Sequence, residues 1–442
     1  MTQRLAATYP KHIETLCRRH DAALEASGFA RVVLHSGASR LLYMDDNATP
    51  FRANPPFKAW VPLVSHPDCY VVYKPGRKPA LIYYQPADYW HSVPQPPSGY
   101  WPEAFDVTVV DTREQALAAL PGPGADTAWL GEADHCPGDR EYALNPPRLA
   151  SELDFARACK TDYEIACLRD ASAIGARAHA AAKAAFYAGR SEFDIHMAYC
   201  TAAGQGDNEL PYTNIVALNE NAATLHYTAL KPLNPPSRQS LLIDAGAAFN
   251  GYASDITRTY SADSEAFASL VNTVEEIELA LCELVTPGRS YVDIHEEAHR
   301  LVAVALADHG LVTCSAETAL DRGLTRVFFP HGIGHFIGLQ VHDVGGHQGN
   351  PQGDPAPPPE AHPFLRLTRT LEAGHVVTIE PGIYVIDQLL DEVRGTDTAR
   401  DIHWDAVDML RPFGGVRVED NVVCTSGEPE NLTRNAFAAL QG

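Results

Sequence analysis

The sequence predicts an α/β (α+β) protein of two domains: a small N-terminal α/β domain over residues 1–157 and a larger second domain over 158–442 made of two related halves. Three observations lead there. At 442 residues the chain is too long for one ordinary core. Its first part alternates short apolar runs with helical patterns, the signature of a mixed layer fold. Its second part repeats itself, AGRSEFDIH (Ala188 to His196) resembling PGRSYVDIH (Pro287 to His295) at an offset of 99 residues.

In the first domain a helical N-terminal stretch leads to an apolar strand at Val32 to His35. Further strands are predicted at Tyr70 to Tyr73 and Ala80 to Tyr84, separated by the turn signal KPGRK, and at Ala128 to Leu130. The segment YMDDNATPFRANPPFKAW is rich in aromatic residues and proline, and no regular structure is expected in it. The boundary falls near Lys160. There Thr161 and Glu164 have the spacing of a capping box, in which each side chain satisfies the other's free helix-end donor. A long Ala-rich helix is expected from there to about Phe186. Each copy of the repeat follows a helical stretch and opens another, with Ser191 or Ser290 as the cap.

Composition narrows the function. The chain is 45% hydrophobic and 20% charged, as a soluble globular protein is. Its formal net charge of -22 would repel phosphate, which argues against a nucleic-acid or anionic-membrane partner. No signal peptide or membrane-spanning apolar stretch is read. Nine cysteines without a C-x-x-C pair suit free thiols in a reducing cytoplasm.

Chemistry concentrates in the second domain. LLIDAGAAFNGYASDITRTY carries Asp244 and Asp255 at the edges of apolar runs, joined by a short connection that a hairpin would close. HGIGHFIGLQVHD places His331, His335 and His342 close together, with Gly332, Gly334 and Gly338 leaving room for close backbone approach. VVTIEPGIY ends a β-branched run on Glu380, and GGVRVEDNVV embeds Arg417, Glu419 and Asp420 in a strand. Strand-embedded carboxylates are costly unless paired or metal-bound. Four carboxylates and one imidazole suit two divalent metals about 3.5–4 Å apart. Oxygen-rich ligation favours Mn²⁺, with Co²⁺ and Zn²⁺ left open by the imidazole. A bridging hydroxide would attack the scissile carbonyl, a nearby Glu would relay the proton, and His342 would stabilise the oxyanion.

Together DAG…SDITRTY, HGIGHFIGLQVHD, TIEPGIY and GGVRVED resemble the dinuclear pita-bread metallopeptidases from about Lys160 to the C-terminus. That resemblance implies a pseudo-twofold pita-bread catalytic domain, with Asp244 on the first metal, His335 and Glu380 on the second, Asp255 and Glu419 bridging, and Glu380 as proton relay. YMDD, NPPFKAW and LPYTNIVALNENAATLHYT extend the likeness to the bacterial-type Xaa-Pro dipeptidases (prolidases) and their organophosphorus acid anhydrolase relatives. This implies catalytic or substrate-site roles for His226, His331 and His342, a pocket wall at Tyr212, and an Arg417 that orients carboxylates. Arg366 in PFLRLTR would bind the dipeptide's free carboxylate, a match of planar fork to planar anion. The long Gly/Pro/His-rich loop before it would lid the pocket. The likeness further implies a homodimer in which Asp45, Asp46 and Trp60 contribute to the partner's pocket, and a side activity on organophosphorus triesters. An aminopeptidase P acting on longer peptides, and a catalytically dead binding module, remain as alternatives. His347 and His362 are read as loop residues, and the histidines outside these motifs as surface residues.

Overall fold

The structure is a computed structural model and describes residues 2–440. The chain divides into two compact units, one of residues 1–167 with 249–252 and 348–354, the other of the remainder.

The first unit opens with helix α1 (Thr2–Ser27), whose apolar face meets α4 (Pro147–Arg157). Its sheet has six strands, β1 (Arg31–His35), β2 (Tyr70–Tyr73), β3 (Ala80–Tyr84), β4 (Asp106–Val110), β5 (Thr127–Leu130) and β6 (Ala143–Leu144), in the order β4-β3-β2-β1-β5-β6. The sheet is mixed. Val32 faces Tyr73 across an antiparallel pair and Ala128 across a parallel one. Val33, Tyr70, Ile82, Val110 and Trp129 form a core over it, each contributing roughly 1.5–3 kcal/mol by leaving water. The aromatic segment expected to be irregular contains a short helix, α2 (Pro55–Trp60). Proline at its first positions is pre-organised for a helix start and gives up a donor that would be free anyway. This helix carries Trp60 fully into the core, where its indole donates to His20 Nε2 at 3.4 Å. A residue with no exposure cannot reach a partner subunit, so Trp60 drops out as a cross-subunit contact; Asp45 and Asp46 remain exposed. A third helix, α3 (Arg113–Ala119), is capped by the Thr112 hydroxyl.

The capping box forms as read: Thr161 N–H donates to Glu164 Oε2 at 2.8 Å and Glu164 N–H to Thr161 Oγ1 at 3.3 Å. It starts α5 (Asp162–Tyr187).

In the second unit, α6 (Glu192–Ala203) follows α5, and α8 (Tyr291–Asp308) follows α7 (Glu265–Cys282), as the repeat anticipated. The two caps differ. Ser191 Oγ accepts from Asp194 N–H at 3.1 Å, a bond worth about 1 kcal/mol, whereas the Ser290 side chain caps nothing and its backbone bridges to Thr370. Strands β7 (Ile215–Leu218), β8 (Ser240–Asp244) and β11 (Thr257–Ser261) make one antiparallel sheet, with the small hairpin β9 (Ala248–Phe249) and β10 (Tyr252–Ala253) between β8 and β11 in the chain. The second half supplies β12 (Val376–Ile379), β13 (Gly382–Tyr384), β14 (Gly415–Arg417), β15 (Asp420–Val423) and β16 (Glu430–Asn431). β12 pairs with β15, and β13 with β14. Isolated bridges at Thr257–Glu419 and Phe336–Val377 tie these pieces together. Shorter helices α9 (Ala316–Asp321), α10 (Thr325–Phe328), α11 (Asp387–Val393), α12 (Trp404–Leu410) and α13 (Leu432–Ala439) complete the unit. Among the described residues no helix is long and apolar enough to cross a membrane.

Candidate metal centre

Strand pairing assembles the site. In β8 and β11, Asp244 lies opposite Thr257, so Asp255, two residues upstream, returns to the same sheet end. Glu380 follows directly on β12, and Glu419 sits in the break between β14 and β15, held by its bridge to Thr257. Arg417, Glu419 and Asp420 are therefore not inside one strand. The break turns Glu419 toward Asp255 and His335, whose ligand atoms lie with its own inside 4.8 Å.

His335 reaches the cluster through close backbone packing. A side chain at Gly334 (φ +150) would meet Thr378 O at 2.2 Å, so only glycine lets this loop lie on β12. Thr378 then bonds His335 twice, accepting from its N–H at 3.1 Å and donating to its carbonyl at 2.9 Å. His335 Nδ1 donates to Phe336 O at 2.9 Å. That fixes the tautomer and leaves Nε2 facing Asp255 Oδ2 at 3.5 Å and Glu380 Oε1 at 3.9 Å.

The carboxylates are fixed from behind. Arg417 donates to Asp244 Oδ2 at 2.7 Å, to Thr257 Oγ1 at 3.1 Å and to the Tyr384 hydroxyl at 3.0 Å. The Thr257 hydroxyl in turn donates to Glu419 Oε2 at 2.7 Å. The Tyr212 hydroxyl lies 2.8 Å from Asp244 Oδ1 and 2.5 Å from Asp255 Oδ1. Expected as a pocket wall, Tyr212 thus also positions two carboxylates. Gly246 permits this, since a Cβ there would stand 2.6 Å from the Tyr212 ring. Asn421 Oδ1 accepts from Asp255 N–H at 3.0 Å, and Asn421 Nδ2 donates to the Asp255 carbonyl.

Charge is out of balance. Four carboxylates, Asp255 and Glu419 buried and Asp244 and Glu380 half-buried, face one guanidinium. Burial, then the charges of Asp255, Glu380 and Asp244, push Glu419 well above the usual carboxylate range. Burial pushes Glu380 up to about 7 against the pull of His335 and Arg417. Asp244 is raised by burial and by Asp255, against Arg417. Burial also opposes charge on Asp255, but the bond and charge of His335 outweigh it and hold Asp255 low; the same contact raises His335 against its own burial. Compensating cations are what such a cluster lacks.

The remaining expected residues ring this cluster. His331 Nδ1 lies 3.7 Å from Glu380 Oε2 and donates to Gly332 O at 2.8 Å, so its Nε2 accepts from the Tyr384 hydroxyl at 2.8 Å. Burial and then Arg417 push His331 down to about 3. The His342 ring stands edge-on to His335 with centroids 4.4 Å apart. Burial, His335 and then Arg366 lower His342 to about 4. Arg366 and His226 are exposed, and the guanidinium of Arg366 acts on His342 through its charge. Sequence reasoning missed Thr257, Tyr384, Thr378 and Asn421. For Thr257 a signal existed: in ITRTY the threonines alternate with Arg258, so Thr257 and Thr259 share one strand face.

An oxygen-rich donor set in excess of buried cations, with one imidazole nitrogen presented to it, defines the site of a divalent-metal enzyme. The chain belongs to metallopeptidase family M24 and, within it, to the Xaa-Pro dipeptidases. Residues 166–426 match "Metallopeptidase family M24", and residues 7–155 match "Xaa-Pro dipeptidase, N-terminal domain". A Xaa-Pro dipeptidase of Xanthomonas campestris pv. campestris is 50% identical over 441 residues, covering 99% of this chain and 100% of that protein. One of Stenotrophomonas maltophilia is 49% identical over 437 residues, covering 99% and 98%. Among solved structures, aminopeptidase P from Escherichia coli in its low-pH form superposes with a TM-score of 0.72 at 22% identity, covering 97% of this chain and 99% of that one, a likeness of fold. The pita-bread expectation for the catalytic part is met, and membership of a metallopeptidase family means that the chain works with divalent metal ions.

Proposed function

We propose that this chain hydrolyses Xaa-Pro dipeptides to a free amino acid and proline, using two divalent ions held by Asp244, Asp255, His335, Glu380 and Glu419. The observation that carries this reading is the charge-deficient carboxylate cluster, with His335 Nε2 aimed into it, in a chain half-identical over its length to Xaa-Pro dipeptidases. Bound there, the ions would supply Lewis acidity to polarise the scissile carbonyl and acidify water. The protein's own residues do the rest. Arg417, Thr257 and Tyr212 orient the carboxylates. Glu380, its carboxylate 3.9 Å from His335 Nε2, is placed to hold and release the proton bound for the leaving proline nitrogen. His342, kept neutral by burial, offers a hydrogen bond to the substrate carbonyl without repelling cations, while His331, its nitrogens held by Gly332 and Tyr384, walls the site beside Glu380 and His226. Arg366, exposed and close enough to depress His342, binds the substrate's terminal carboxylate and so limits substrate length. The segment before Arg366 closes over the bound dipeptide.

The oxygen-rich donors favour Mn²⁺. Residues 1–157 form the dimerisation domain of a homodimer; Leu41, Leu42, Tyr43 and Met44 are all exposed there, an apolar tip suited to a contact. Nine free cysteines fit a cytoplasmic setting. The same site would hydrolyse organophosphorus triesters as a side activity, which an assay with diisopropyl fluorophosphate checks.

Hydrolysis of Ala-Pro and Leu-Pro against an Xaa-Pro tripeptide, after loading with Mn²⁺, Co²⁺ or Zn²⁺ separately, tests the assignment. Dipeptides are cleaved and the tripeptide is not. Arg366→Ala raises the dipeptide KM on the order of 100-fold, as expected for loss of a bidentate ion pair, with metal content unchanged. Cleavage of the tripeptide at the dipeptide rate would instead make the chain an aminopeptidase.

A further inference from the structure

Helix α8 carries the sequence HEEAH, with His295 and His299 four residues apart and hence on one helix face. A third imidazole, His362, comes from the loop ahead of Arg366. Ring centroids are 4.7 Å apart for His295–His299, 4.4 Å for His295–His362 and 4.7 Å for His299–His362. One ring nitrogen of each lies within 4.8 Å of the other two. His299 Nδ1 is engaged by the Thr325 hydroxyl at 2.9 Å, which leaves Nε2 free and sets its direction. His295 is 1% exposed, and its Nδ1 has no hydrogen-bond partner. A buried ring nitrogen left without a partner is costly unless something binds it.

The surroundings suit a ligand. The three rings line a cavity of about 360 Å³, so a fourth position could be filled by water. Burial, with neighbouring imidazoles adding to it, lowers His295 to about 2 and His299 to about 3, and burial lowers His362 as well. All three are then neutral, the form that binds metal. Glu296 favours positive charge at His362, while Arg326 opposes it. His331 also borders the cavity, but Gly332 and Tyr384 occupy both its nitrogens.

We propose that His295, His299 and His362 form a third metal-binding site, separate from the carboxylate cluster, for a dication of the Zn²⁺ class. Three imidazoles and one open position suit Zn²⁺, whose nitrogen ligands sit at about 2.0–2.1 Å and would draw the rings together. The ion would fasten the 361–365 loop to α8.

Equilibrium dialysis of the full-length protein against Zn²⁺, with elemental analysis, tests this. Wild type binds one more ion per chain than His362→Ala, and His362→Cys, which restores a soft ligand, recovers it. His362 lies in a loop, and circular dichroism of each variant confirms that it is folded. Equal Zn²⁺ content in wild type and His362→Ala overturns the proposal. The test is independent of the two-ion reading, because Glu419→Gln removes ions from the carboxylate cluster and leaves the His362-dependent ion in place.

Discussion

Glu419 and Asp420 are neighbours in the chain, both buried, yet they serve opposite kinds of cluster. Glu419 joins Asp244, Asp255 and Glu380 around a single guanidinium, Arg417. Asp420 joins Glu275 and Glu278 around two. Arg258 Nη2 donates to Asp420 Oδ1 at 2.7 Å, and Arg434 donates to Asp420 Oδ2 at 2.5 Å, to Glu278 Oε2 at 2.8 Å and to Glu275. Burial works against charge on Asp420, but Arg258 and Arg434 outweigh it and hold its pKa at about 2. Burial, with the charge of Asp420 behind it, pushes Glu278 up to about 8, and the Cys282 thiol donates to it at 2.6 Å. A proton on Glu278 closes that cluster's charge. Glu419 shares its one neighbouring guanidinium, Arg417, with Asp244 and Glu380. Buried acids whose charge the protein itself balances hold the fold together; buried acids left in excess are kept for ions from outside.

The contrast can be broken at either end. The largest effect is expected from Glu419→Gln: turnover of Ala-Pro falls on the order of 10³-fold with the ion it helped hold, while urea denaturation of the chelated variant shows no loss of stability. Arg434→Met does the reverse. It strands Asp420 and Glu278, so stability falls by about 3–5 kcal/mol, and metal content per folded chain is unchanged. Tyr212→Phe is the smallest: the ring still packs, but the hydroxyl between Asp244 and Asp255 is gone, and metal affinity weakens by about 10–100-fold, read by competition with a chelator. If Arg434→Met lost metal while keeping its stability, the division between the clusters would fail.

Much of this was legible in the sequence. Asp244, Asp255, His335, Glu380, Glu419, Arg417 and the repeat all stand in short motifs, and the structure brings the acids and His335 to one end of the paired strands. What escaped was set by distant partners. Thr257 matters because Glu419 bridges to it from 162 residues away. Ser290 fails to cap because its backbone is recruited by Thr370. Of the histidines read as surface residues, His91 and His403 are exposed, whereas His12, His20, His35, His179, His299 and His375 are buried, as are His196 and His295 in the repeat. His12 shows why. Ala59 O and the Thr161 hydroxyl take its two nitrogens at 2.7 and 2.8 Å, so a neutral ring can be buried at little cost, and those partners lie 47 and 149 residues away. His362, read as a loop residue, packs against His295 and His299.

The central claim is that the Asp244–Asp255–Glu380–Glu419 cluster is built short of positive charge. Its pH dependence follows. Glu380 at about 7 is partly protonated in the metal-free protein near pH 6 to 7, and burial raises Glu419 as well. An acid raised by folding contributes stability that is complete below its unfolded pKa and is lost as pH rises through the folded value, so the metal-free protein weakens through about pH 7 and ions restore it. Binding must also expel those protons. Calorimetric titration of the chelated protein with Mn²⁺ in buffers of different ionisation enthalpy reads both quantities at once; three imidazoles hold this hard ion poorly, so the His362 site does not interfere. The expected result is two ions per chain, protons released on binding, and affinity rising up to about pH 7. Saturation without proton release, or at fewer than two ions per chain, would contradict it.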